Sequence, residues 1–289
     1  MINVRELTYT YPKTRQPAVK SVSFEIEKGE IFGFLGPSGA GKSTMQKVMI
    51  GLLKGYGGSI LLQNRELSDW KSDLYYQIGV GFELPNHYPK LSALENLRFF
   101  ASFYNTPTQS PMELLAWVGL EQDAQKRVED FSKGMKMRLN FVRALLHRPP
   151  ILFLDEPTSG LDPVNGKVIK DIILKLKSEG TTVILTTHHM NDAEQLCDRL
   201  AFIVDGEIAL VEAPSALKRQ YGKRSVILEY VETGQQTAQK ASFELDDIGH
   251  DERFLSLLQT QHIQSIHSQE ASLEDIFIQV TGKTLLSTV

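Results

Sequence analysis

The chain has 289 residues, of which 42% are hydrophobic and 23% charged, with a formal net charge of −4. These proportions exclude disordered and fibrous classes and allow one large domain plus a small one. The slight acidic excess argues against nucleic acid as a partner.

A single cysteine, Cys197, excludes an internal disulfide and a cysteine-based zinc cluster. It reads as a small buried helix residue in a reducing compartment. The opening MINVRELTYTYP has neither the basic start nor the apolar run of a signal peptide. The longest apolar runs, residues 151–154 and 183–185, fall far short of the roughly 18 residues of a spanning helix. The expectation is a chain that does not itself cross a membrane.

Residues 2–35 read as strands, with Lys28-Gly29 as a turn. Met45, Val48, Met49, Leu52 and Leu53 recur at helical spacing and predict a helix closed by the glycines at 55–58. Residues 59–82 predict a strand, a polar link and a strand. Residues 91–146 read as mainly helical, interrupted at Pro107 and Pro111 and stopped by Pro149-Pro150. ILFLD at 151–155 and TTVILTT at 181–187 predict doubly buried parallel strands, separated by a helix over about 164–178. Residues 191–199 predict another helix, and LAFIVDGEIAL a strand, turn and strand. The alternation implies a parallel sheet covered by helices. The last ~70 residues change texture, with strands at SVILEYV and KASFELDD and helices at FLSLLQTQ and LEDIFIQV.

The sharpest motif is Gly36, Pro37, Ser38, Gly39, Ala40, Gly41, Lys42 and Ser43, followed by Thr44. It lies between a predicted strand and a predicted helix, the setting of a phosphate-binding loop. Glycines let successive N–H groups converge on an anion, and the helix start adds its positive end. Lys42 would reach the β- and γ-phosphates, and the Ser43 hydroxyl would ligate Mg²⁺. Downstream, Asp155 and Glu156 close the ILFLD strand. An aspartate at a parallel strand's carboxyl end suits the metal, and the next carboxylate suits the attacking water.

The segment FSKGMKMRLNFVRALLHRPPILFLDEPTSGLDP (131–163) closely resembles ABC ATPases. The resemblance covers about residues 2–215. It implies an α/β fold of the P-loop NTPase type, with the ATPase domain at 1–214, a helical subdomain at about 84–148 and a small α+β domain at 215–289. It places the signature at Ser132, Lys133, Gly134 and Met135, the D-loop at Ser159-Gly160-Leu161-Asp162, and the switch histidine at His188. ATP and Mg²⁺ are then sandwiched between two such subunits, with Ser132, Gly134 and Asp162 at the interface. Tyr11, or Tyr9 in its place, would stack on adenine. Lys133 and Met135 depart from the family pattern, and Lys133 would face either the phosphate or solvent. At the Q-loop position Glu83 stands for glutamine, and is expected to approach the metal. Residues 84–95 are the expected docking surface for a membrane permease subunit. The tail ASLEDIFIQVTGK (271–283) is similar to exporter subunits that handle drugs, antibiotics or polysaccharides. The resemblance thus implies an ATPase subunit peripheral to the cytoplasmic face of the membrane, working as a homodimer to power export of a small molecule. An importer ATPase, or a non-transport ABC ATPase with a macromolecular partner, is the alternative.

Overall fold

The computed structural model describes residues 1–222, 224–231 and 237–284. Its contacts separate Met1–Ala213 from Pro214–Thr284. In the first unit β1 (Ile2–Tyr9) and β2 (Val19–Ile26) each bury one face, as their alternating side chains dictate. β3 (Ile31–Leu35) is buried at every position and leads into α1 (Lys42–Met49). β4 (Gly57–Leu62), β5 (Arg65–Glu66), α2 (Leu74–Gln77) and β6 (Ile78–Gly81) follow. Three helices then pack on one another: α3 (Ala93–Ala101), α4 (Pro111–Trp117) and α5 (Lys133–Arg143). β7 (Ile151–Asp155), α6 (Pro163–Ser178), β8 (Thr182–Thr187), α7 (Met190–Leu196), β9 (Arg199–Val204) and β10 (Glu207–Glu212) complete the unit.

Two sheets result. β2-β1-β4-β5 is antiparallel, and β10-β9-β3-β8-β7-β6 is parallel except for its edge strand β10. The three strands at its centre, β3, β8 and β7, are buried throughout, which explains the apolar runs at their cores, IFGFL, VIL and ILFL. One apolar cluster joins both sheets to Met45, Val48 and Met49 of α1. At its heart Phe24 stacks on Phe32 at 5.7 Å, and Phe34 meets each edge-on at 5.3 Å. Each such ring contributes about 1.5–3 kcal/mol by leaving water.

Several boundaries differ from the sequence expectation. Residues 10–18 are not strand, and the 59–82 stretch contains α2. Within 91–146, residues 118–132 form no α-helix, only a 3₁₀ turn at Val128–Asp130. The helix expected over 191–199 is α7, which ends at Leu196, because Cys197 is extended and Asp198 accepts the Ile31 N–H from β3. Cys197 therefore lies just past the helix, not within it. Its sulfur packs over Gly33, where a Cβ would come within 2.5 Å of Sγ. Burial pushes its thiol pKa far up, so it is inert.

The second unit contains α8 (Pro214–Tyr221), β11 (Arg224–Val231), β12 (Gln239–Glu244), α9 (Glu252–Thr260), β13 (His262–Glu270) and α10 (Leu273–Thr281). Its antiparallel sheet has the order β12-β11-β13. Phe254 of α9 meets Phe243 of β12 at 5.2 Å over a core that includes Val226, Leu228 and Tyr230. Neither α8 nor β13 was expected. Parts of the expected C-terminal domain, residues 223, 232–236 and 285–289, lie outside the described residues. Among the described residues no helix is long and apolar enough to cross a membrane.

Candidate functional site

Because β3, β8, β7 and β6 run parallel as neighbours, their carboxyl ends line up along one edge of the sheet. The glycine loop leaves β3, His188 follows β8, Asp155 ends β7, and Glu83 lies two residues beyond β6. Four segments distant in sequence are thereby collected at the place where parallel sheets bind ligands.

The loop needs its glycines. A Cβ on Gly36 would sit 2.1 Å from the Ile203 carbonyl oxygen, and one on Gly41 2.6 Å from that of Ala18. Gly39 and Gly41 also adopt φ of +80° and +105°, where other residues are strained. Gly41 caps α1 without a side chain, so the first helical N–H groups are left to meet an anion. Lys42 is buried and curls back over the loop, its Nζ donating to the carbonyls of Gly36 at 2.5 Å and Pro37 at 2.9 Å. Burial holds its pKa below the usual lysine value, against the opposing pull of Glu156, Asp155 and Glu83. Glu83 is exposed, yet its charge reaches this ammonium.

Ser43 Oγ donates to Asp155 Oδ1 at 3.3 Å, and the Thr186 hydroxyl bonds the same carboxylate oxygen. Paired hydroxyl and carboxylate oxygens are the donors a hard cation such as Mg²⁺ takes, so these residues fit that ion. Glu156 is buried, and its backbone is left-handed at φ 50°. A non-glycine residue there stores on the order of 1–3 kcal/mol of strain. The turn aims its side chain back to β8. Thr187 Oγ1 donates to Oε2 at 3.2 Å, and His188 Nδ1 donates to Oε1 at 2.7 Å. The two threonines were missed by sequence reasoning. Their signal was available: hydroxyls at the end of a strand predicted to lie near the acidic one.

Tyr11 turns its edge to Tyr9 at 5.0 Å, and its hydroxyl lies 3.1 Å from Thr44 Oγ1. Tyr9 is buried in the core, so it leaves Tyr11 as the aromatic beside the loop. Pro37 and Ser38 lie on the loop between β3 and α1, and Ala40 packs inward.

A second grouping forms at the start of α5. Ser132 caps the helix by accepting the Met135 N–H at 3.2 Å. A Cβ on Gly134 would meet Leu161 Cδ2 at 3.5 Å, so α5 starts against the 159–162 turn. Lys133 is exposed, and its side chain lies over Gly160, where a Cβ would come 2.9 Å from Lys133 Cε. Asp162 caps α6, accepting the Val164 and Asn165 N–H groups at 3.1 and 3.0 Å. The Asn165 side chain and these backbone bonds hold its carboxyl below the usual range.

The α5 helix also grips the segment after β6. Asn140 Nδ2 donates to Phe82 O at 2.7 Å, Arg143 Nη1 to Asn86 O at 2.5 Å, and His87 Nε2 to Lys136 O at 3.0 Å. Beyond that segment Tyr88, Phe99, Phe100 and Phe103 form an aromatic cluster, and Leu84 is 78% exposed.

Residues 19–159 match the ABC transporter family, and residues 224–270 match the fluoroquinolone efflux ABC transporter C-terminal domain. A fluoroquinolones export ATP-binding protein of Mycobacterium tuberculosis (strain CDC 1551 / Oshkosh) is 53% identical over 285 residues, covering 99% of this chain and 94% of that protein. The chain belongs to the ABC transporter ATPases. Another ABC relative, the linearmycin resistance ATP-binding protein LnrL of Bacillus subtilis (strain 168), is 32% identical over 99% of both chains. Among solved ABC structures, an ATP-binding cassette in a dimeric post-hydrolysis state with ADP and Pi is similar at a TM-score of 0.68. It is 31% identical and covers 74% of this chain and 98% of that one. This ABC cassette is thus an ATPase of the fold that its motifs imply.

Proposed function

We propose that this chain is the ATP-hydrolysing subunit of an exporter of fluoroquinolones or similar amphipathic antibiotics, working as a homodimer on a separate membrane subunit at the cytoplasmic face. The observation that carries the hydrolytic part is the buried Glu156 carboxylate, aimed by strained backbone and bonded to His188, at the strand end beside the glycine loop. Export is supported by the relatives named for fluoroquinolone export and linearmycin resistance, and by the match of residues 224–270.

In this mechanism Lys42 exchanges the Gly36 and Pro37 carbonyls for β- and γ-phosphate oxygens. Tyr11 stacks on adenine. Ser43, Asp155 and Glu83 would hold Mg²⁺, which neutralises charge on the β- and γ-phosphates when bound. Glu156 orients a water and takes its proton as the oxygen attacks the γ-phosphorus. The bond to the β–γ bridging oxygen breaks, leaving ADP and phosphate. With Nδ1–H donated to Glu156, His188 would donate Nε2–H to the γ-phosphate in its doubly protonated form. The second copy supplies Ser132, Gly134 and Asp162. Three hydrogen bonds from α5 to residues 82–87 connect that signature helix to the partner-facing segment, so closure at the nucleotide is felt where Leu84 and Tyr88 are exposed.

Glu156→Gln keeps the side-chain shape and removes the base. Turnover should fall about 10²–10⁴-fold while ATP now holds a dimer visible by size-exclusion chromatography. Normal hydrolysis by the variant would refute the role of Glu156. A monomer at saturating Mg-ATP would refute the homodimer. Wild-type chain with its membrane subunit should lower fluoroquinolone accumulation in cells, and the variant should not.

A further inference from the structure

We propose that Glu156, His188 and His189 form a binding site for a divalent transition-metal ion of the zinc class, distinct in chemistry from the oxygen-lined magnesium position. One ligating atom from each of the three residues lies within 4.8 Å of the other two. Ligands about 2.0–2.1 Å from a tetrahedral zinc ion stand about 3.3 Å apart, so small ring rotations close the gap.

The arrangement is not a by-product of sequence adjacency. Consecutive residues of a strand point to opposite faces. Here the two imidazoles lie side by side, centroids 4.1 Å apart and planes tilted by 37°. The chain turns at this point, leaving β8 at Thr187 and starting α7 after His189, whose φ is −84° and ψ 103°. Thr187 fixes the turn: its hydroxyl oxygen accepts the His189 N–H at 3.0 Å and donates to Glu156 at 3.2 Å. Hydrogen bonds of this kind to a ligating carboxylate are what orient it toward a metal. His189 makes no side-chain cap to α7, so its ring has no part in starting that helix.

Two imidazoles and one carboxylate select zinc, cobalt or nickel over magnesium, which takes oxygen donors. The fourth position faces solvent, since His188 is half exposed, and water completes a tetrahedron. On binding, the ion takes the place of the hydrogen that His188 Nδ1 shares with Glu156, and that proton passes by way of solvent to Nε2, so the ring binds as a neutral imidazole. The occupied site ties down the carboxylate and the histidine together. Zinc therefore arrests ATP hydrolysis without displacing Mg-ATP from the loop, a consequence that rests on the hydrolytic roles proposed above.

Binding is read first, on the full chain without nucleotide, because ATP itself chelates metals. Titration with Co²⁺ should give visible absorption of a tetrahedral site saturating at one ion per chain. His189→Ala, an exposed change outside the hydrolytic machinery, should weaken Co²⁺ and Zn²⁺ binding at least tenfold and leave basal Mg-ATPase unchanged. Equal metal binding by wild type and His189→Ala, or no tetrahedral spectrum, overturns the site. In turnover assays micromolar free Zn²⁺ should inhibit wild type reversibly, and at least tenfold more should be needed for His189→Ala. Zinc binding that depends on His189 without any inhibition would uphold the site and instead overturn the assignment of Glu156 and His188 to hydrolysis.

Discussion

Gly36 has no room for even a methyl group, because the obstacle is the Ile203 backbone carbonyl and no rotamer change relieves it. In Gly36→Ala the loop must shift relative to β9, and a displacement near 1 Å in a positioned site costs about 100-fold. The variant should lose about that factor in turnover, measured as phosphate release at saturating Mg-ATP. Unchanged turnover would show that the loop has slack the contacts deny. The glycine loop was readable in the sequence because phosphate chemistry fixes the spacing of such loops: a tight glycine turn, then a lysine and a hydroxyl on the first turn of a helix. Glu156 was legible from its place just past an apolar strand that ends in aspartate, and His188 only through the resemblance. Lys133 was not, because its resting place on Gly160 is set by how α5 packs on the 159–162 turn. Nor was the double role of Thr187, which depends on β7 and β8 being neighbours in register.

Elements with a strong apolar rhythm were legible: β3, β7 and β8 match their expected positions closely, whereas α1 ends at Met49, short of the expected Leu52 and Leu53, which lie in the turn that follows it. β13 was not, since HIQSIHSQE is mostly polar, and an edge strand in a three-stranded sheet needs few buried residues. α7 was drawn too long, over Cys197, Asp198 and Arg199, because that stretch holds no glycine or proline to mark the stop. The link between α5 and the segment after β6 carries its own pH sensitivity. Burial pushes the His87 pKa from its ordinary 6.5 down to about 4, with Arg143 and Lys136 adding repulsion. Its Nε2–H already serves the Lys136 carbonyl, so a second proton must go on Nδ1, which is buried without a partner. The unfolded chain binds that proton near pH 6.5 and the folded chain only near 4. Stability from this residue is thus complete above about 6.5, falls as pH drops through the interval, and levels below about 4. His87→Gln keeps a donor that cannot charge. Its melting temperature should fall less between pH 6.5 and 4 than that of wild type, by scanning calorimetry; parallel curves would remove His87 as the cause.

At the scale of the molecule, every residue assigned to nucleotide chemistry lies within Met1–Ala213, and Pro214–Thr284 has a core of its own. A chain ending at Ala213 should therefore bind Mg-ATP within about twofold of the full chain, by isothermal titration. Loss of binding would assign the second unit a part in the site that no motif suggests. The order of strands in the larger sheet bears on how the protein is made. β3 is flanked by β8 and β9, and Ile31 pairs with Val183, about 150 residues later. At a ribosomal pace of roughly 5–20 residues per second, IFGFL waits on the order of 10–30 s for either neighbour. Throughout that interval a wholly apolar strand has two open edges, a ready target for chaperones and for self-association.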